Sequence, residues 1–235
     1  MGDVIRVNFT KPMPVFPLPN AVVLPHAIQP LHVFEPRYRQ MVADALGEQG
    51  TRLIAMATFD IALLKCGFEE LRAIRPAVCV GRIIEHEALG GGRSNILVQG
   101  ICRARIDDLL EADAQRLYNL VRVHPLEAVD QEPVPMPGVR SDLCTLLTKT
   151  CLQRLRYVPS VVKWFNRDDV STHALLELVG FTLFQDNDLK YELLAEASPD
   201  RRACLIRDEL DHLRRIIDGA DGQSHREWPK GLSWN

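Results

Sequence analysis

The sequence predicts an α+β protein: a compact barrel of mostly antiparallel strands with one inserted helix, then a carboxy-terminal bundle of helices. Apolar runs of strand length, punctuated by proline and glycine, occupy residues 15–126. A proline-rich acidic stretch with Pro133, Pro135 and Pro137 follows. Beyond it the apolar period lengthens from two residues to three and four, as it does where strands give way to helices. These changes set the expected boundaries: a β domain over 1–126, a linker over 127–138, a helical bundle over 139–219 and a polar tail over 220–235.

A chain of 235 residues, 46% hydrophobic and 25% charged, has the make-up of an ordinary globular protein with one large or two modest domains. Its net charge of -3 does not suit a basic nucleic-acid binder. No run approaches the roughly 18 apolar residues of a membrane span, and residues 1–6 lack a signal peptide's apolar core, so a cytoplasmic protein without a membrane partner is expected. The cysteines, at 66, 79, 102, 144, 151 and 204, form no CxxC pair. Reduced thiols acting as small buried hydrophobes are expected, with neither disulfides nor metal.

Residues 16–42 organise the first half. Prolines at 17, 19, 25 and 30 each fix φ and remove a backbone donor, which rules out a long central strand or a helix and leaves short strand, crossover, short strand. Pro36 suits a first helical turn, where its missing N–H is no loss, and Arg37, Tyr38, Met41, Val42 and Leu46 follow at helical spacing. Residues 51–59 read as a strand covered on both faces, and 60–76 as a loop or irregular helix. Residues 78–89 and 94–101 form a hairpin across Gly90, Gly91, Gly92 and Arg93, where strand leads to strand and no phosphate-binding lysine follows. Residues 103–110 and 117–126 supply two further half-exposed strands.

In the second half Val139, Leu143, Leu146, Leu147, Thr150 and Cys151 line one face of a helix that Pro159 ends. Ser171 caps a second helix whose residues 173–184 are apolar nearly all round, and Asp186 or Asn187 caps a third. Ser198 and Pro199 open the last helix, with Ala203, Ile206, Leu210, Leu213 and Ile217 as its stripe and Gly219 as its stop.

Several of these runs also carry a family resemblance. Phe16-Pro17-Leu18-Pro19, Val22-Val23-Leu24-Pro25 and Pro30-Leu31-His32-Val33-Phe34-Glu35-Pro36-Arg37-Tyr38 resemble the entry of the amino-terminal domain of Lon-type ATP-dependent proteases, the peptidase S16 Lon domain. Val80-Gly81-Arg82-Ile83-Ile84, residues 96–100 and Arg103-Ala104-Arg105-Ile106 are similar to that domain's later strands, and residues 169–213 to its helical part. The resemblance implies a PUA-like pseudobarrel followed by helices, a substrate-recognition role without cofactor, and a chain that ends before the ATPase and Ser-Lys peptidase modules. It points to unfolded or apolar protein segments as partners, delivered in one version to a separate protease. PUA-like barrels elsewhere bind RNA, which makes a patch of Arg82, Arg93, Arg103 and Arg105 the alternative expectation.

No catalytic, cofactor or metal residues are expected. Glu85 and Glu87 fall on the strand face opposite His86, and His26 with His32 offers only two ligands. Ser160 and Lys163 read as turn or cap residues. Phe34, Glu35, Pro36 and Arg37 read as a structural junction, with Phe34 in the core and Glu35 pairing with Arg37 or capping the helix. Trp164 and Phe165, expected between two helices in a groove where barrel meets bundle, and Tyr38 are the candidate protein-binding residues.

Overall fold

The computed structural model describes residues 6–127, 136 and 138–224. Its elements in order are β1 (Met13–Leu18), β2 (Ile28–Val33), α1 (Pro36–Leu46), β3 (Leu53–Thr58), α2 (Ile61–Lys65), β4 (Ala77–Ala88), β5 (Ser94–Leu110), β6 (Leu120–Pro125), α3 (Val139–Lys149), α4 (Val158–Phe165), α5 (Thr172–Leu183), α6 (Asn187–Ala195) and α7 (Pro199–Ser224). The chain divides into two units, Met1–Pro133 with Phe184–Pro199, and Val134–Leu183 with Asp200–Asn235. Most of the expected linker, and the tail beyond 224, lie outside the described residues.

The first unit is built on a six-stranded sheet in the order β2-β5-β4-β3-β1-β6, with β6 also pairing with β5. That second pairing closes five strands into a ring, and β2 is left outside it on β5. All pairings are antiparallel except β1 with β3. The ring interior holds Val15, Ala55, Ala57, Val78, Val80, Ala104 and Val121, small or branched residues that fit a narrow barrel. Every residue of β3 is buried, so both its faces are covered.

The sequence suggested separate strands over 94–101 and 103–110; they are one strand of 17 residues. Its second half belongs to the ring, and its first half runs out of it to pair with β2. Register shifts at Val80/Gly81 and Ile83/Glu85 bend β4 where the hairpin leaves the barrel. α1 starts with Pro36 in its first turn and lays the Tyr38 ring against Phe16 of β1, centroids 4.3 Å apart.

The helix α6, expected with the carboxy-terminal helices, belongs to the first unit. Asp186 caps it, accepting from the Asp188 N–H at 2.7 Å. Tyr191 accepts from the Ala77 N–H at 2.9 Å, Arg75 pairs with Asp188, and the buried Arg103 donates to the Leu193 carbonyl at 3.3 Å. Arg103 is therefore not part of a basic surface.

The second unit comprises α3, α4, α5 and α7. Ser171 accepts from the Ala174 N–H at 3.1 Å and so starts α5, which buries Leu175, Leu176 and Val179. Arg202 and Glu177, both buried, form an ion pair at 3.2 Å. Pro159 begins α4 where the sequence suggested that it ends a helix; proline is at home in a first turn, and α3 has already stopped at Lys149. Gly219 does not stop α7, which continues to Ser224 because this glycine keeps a negative φ.

Candidate functional site

The feature that stands apart in the first unit is the three-stranded platform made where β4 and β5 leave the barrel and β2 joins them. Three rows cross it: Ile28, Gln99 and Arg82; Pro30, Leu97 and Glu85; His32, Asn95 and Glu87. Alternate strand residues share a face, so these nine side chains lie on one side of the sheet. The last row is joined by hydrogen bonds. Asn95 donates its amide to Glu87 at 2.8 Å, which leaves its oxygen to accept from His32 Nδ1, also at 2.8 Å.

The His32 ring in turn stacks on Phe34, centroids 6.0 Å apart. Phe34 is 59% exposed and Ile28 49% exposed, among the largest apolar surfaces the described residues present. An open trough of about 830 Å³ is lined by residues 30–32 of β2, 95–97 of β5 and 85–87 of β4, with the carboxylates of Glu85 and Glu87 among them. The surface thus offers apolar and aromatic contact beside negative charge. His86 pairs across the strands with Ile96, off the face that carries Glu85 and Glu87.

Phe34 is the clearest correction to the sequence reading, which had it in the core. Val33 is buried and ends β2, so strand parity turns the next ring outward. Glu35 pairs with Arg37 at 2.9 Å, and its side chain does not cap α1. Arg37 also reaches Glu70 at 3.0 Å and lies 4.7 Å from the Tyr38 ring centroid. Tyr38 is buried, and that burial pushes its phenol up to about 12 against the pull of Arg37. It floors a smaller cleft of about 220 Å³ with Phe59, Leu71 and Leu117.

Trp164 and Phe165 lie in the last turn of α4, not in a loop between helices. Phe165 is buried and Trp164 is half-buried. Arg140 holds this helix end, donating to the carbonyls of Phe165 at 2.7 Å, Arg167 at 2.6 Å and Val170 at 2.7 Å. Ser160 and Lys163 are exposed on the same helix. Among the described residues no three His, Cys, Asp or Glu side chains come together as metal ligands, and no helix is long and apolar enough to cross a membrane.

Ile28 was missed in the sequence because Pro30 hides the alternation on either side of it. Pairing Ile28, Pro30 and His32 as one parity would have revealed an apolar outward face.

The sequence model of the family described as "ATP-dependent protease La (LON) substrate-binding domain" matches residues 12–212. Among solved structures, the N-terminal domain of the Mycobacterium avium complex Lon protease is similar with a TM-score of 0.64 at 19% identity, over 86% of this chain and 98% of that one. A Lon N-terminal domain protein from Xanthomonas campestris gives a TM-score of 0.54 at 19% identity, over 82% of this chain and 94% of that one. At such identity the likeness is one of fold. No curated protein sequence matches.

Proposed function

The chain belongs to the family of ATP-dependent protease La (LON) substrate-binding domains, and from that premise we propose that it is a non-catalytic module that binds unfolded or apolar protein segments, as a selector or adaptor for proteolysis. The observation that supports this is the platform, where Ile28 and Phe34 stand exposed at either end of the stretch whose Pro30 and His32 line an open trough. A folded chain gains nothing from leaving such apolar side chains in water; covering them with a client's apolar side chain is favourable. Trp164 is the contact proposed for the helical unit, and the buried Phe165 and Tyr38 support their surfaces from beneath.

Binding of this kind is weak, because a flexible chain gives up entropy on docking. The expected Kd for casein, an unfolded protein, is in the micromolar range, roughly 8 kcal/mol, with little binding to a compact folded protein of similar charge. Phe34→Ala should weaken casein binding about three- to tenfold with no loss of stability, since the ring is 59% exposed. Trp164→Ala tests the helical unit in the same assay. Absence of casein binding by the wild-type protein would overturn the reading. No specific observation favours RNA: Arg103 is buried, which removes one of the four arginines that motivated it.

A further inference from the structure

The platform has an open edge as well as an open face. β2 is the outermost strand and pairs only with β5 among the described residues. Its hydrogen-bonding parity is fixed just before it begins, where the Gly100 N–H donates to the Ala27 carbonyl at 2.9 Å. In an antiparallel ladder bonded and non-bonded pairs alternate. Gln29, Leu31 and Val33 therefore turn their backbone groups toward β5, while Ile28, Pro30 and His32 turn theirs outward. Pro30 falls on the outward parity, where its missing N–H costs the ladder nothing, and its carbonyl accepts instead from the Gln29 side chain at 3.1 Å.

We propose that the edge of β2 captures an extended segment of a client chain as an added strand, with Ile28 and His32 each giving and taking one backbone hydrogen bond and Pro30 accepting one. This deepens the reading above and rests on it: it names how a client is held. Backbone pairing is the form of recognition that suits a client defined by being unfolded, because it reads no particular side chain. Ile28, Pro30, His32 and Phe34 supply an apolar strip beside the added strand.

A second copy of this chain is the poorer occupant. Antiparallel self-pairing centred on Pro30 would set Pro30 against Pro30, where neither has an N–H, so no backbone hydrogen bond could form in the middle of the contact. A client strand with an ordinary residue there still forms one, its N–H donating to the Pro30 carbonyl. The charge on the face selects further. Glu85 and Glu87 lie on β4, and a client Lys or Arg stem laid over Pro30 and Leu97 brings its charge to within a Debye length, about 8–10 Å, of them. Extended segments that alternate apolar and basic residues are the preferred clients.

The test uses the whole chain and a short peptide of alternating valine and lysine. Its Kd is compared with two backbone N-methylated forms, one methylated at the valines and one at the lysines, and with a valine–glutamate peptide. At least one methylated form should bind about tenfold or more weakly, the worth of one or two hydrogen bonds, and the glutamate peptide should also bind more weakly. Ile28→Pro and His32→Pro, which remove outward donors without touching the β5 pairing, should do the same to the valine–lysine peptide. The amides of Ile28 and His32 should gain protection from hydrogen exchange when it binds. Should these variants fail to fold, the methylated peptides on wild-type protein still decide. If casein and the parent peptide bind but both methylated forms bind equally well, strand addition is overturned while the substrate-binding reading stands. If casein itself does not bind, the earlier reading has failed.

Discussion

Gly81 and Gly100 stand opposite each other in the β4–β5 ladder, and neither has room for a side chain. A Cβ on Gly100 would lie 2.2 Å from the Leu24 carbonyl oxygen, and one on Gly81 would lie 2.5 Å from a Val98 methyl. Gly100 is also the anchor of the crossover before β2: it donates to the Ala27 carbonyl and accepts from the His26 N–H, each at 2.9 Å. The platform is therefore tied to the barrel by backbone lying directly on backbone.

Gly100→Ala should destabilise the first unit by about 1–3 kcal/mol, since backbone must move to admit the methyl group. Gly90→Ala is the control, because a Cβ there meets nothing within 4 Å, and its effect should stay within about 0.5 kcal/mol. Denaturant midpoints of the two variants check this. Equal midpoints would mean that the crossover gives way freely.

Thiol reagents should distinguish the cysteines. Cys66 and Cys204 are exposed and should react first at pH 8. Cys102 should lag, because burial, reinforced by the charge of Glu127 and opposed by Arg103, pushes its thiol up to about 11. Cys79 is fully buried and should react only as the barrel opens. Mass spectrometry of timed alkylation gives the order, and early labelling of Cys79 would contradict the packing.

Stability should decline in alkali between about pH 10 and 12. Burial raises the phenols of Tyr38 and Tyr118 to about 12, with the hydrogen bond from Tyr118 to Asp44 at 2.9 Å adding to the second. Below the unfolded value near 10 both states hold the proton and nothing changes. Above it the unfolded chain loses the proton first, so the contribution fades as pH rises through the folded value. Tyr118→Phe should flatten that decline in a pH series of urea titrations.

The strands and helices with uninterrupted patterns were legible. Residues 36–46 show helical spacing behind a proline, and residues 53–57 of the buried strand are apolar without a break, so nothing tertiary had to be known to read them. What escaped depended on distant parts of the chain. Arg103 looks like a surface residue among charged neighbours, yet α6, some 90 positions later, brings the Leu193 carbonyl to it. Pro159 signals a helix boundary, but a proline alone does not say whether the helix lies before or after it. The candidate site was half legible. The run from Phe34 to Tyr38 was singled out, but the outward turn of Phe34 shows only once it is placed on one strand parity with Ile28, Pro30 and His32, and the pairing of β2 with β5 is what sets that parity.

The placement of α6 in the first unit also sets a timetable. During synthesis β6 is complete at Pro125, but Asn187 and the rest of α6 arrive only after α3, α4 and α5 have been made. At about 5–20 residues per second that is a wait of about 3–12 s. Throughout it the Ala77 amide lacks Tyr191, and Arg103, buried in the finished protein, has no Leu193 carbonyl to meet. A barrel that closed its ring during that wait would differ from the mature one by a polar seam open to water until the chain returned to it.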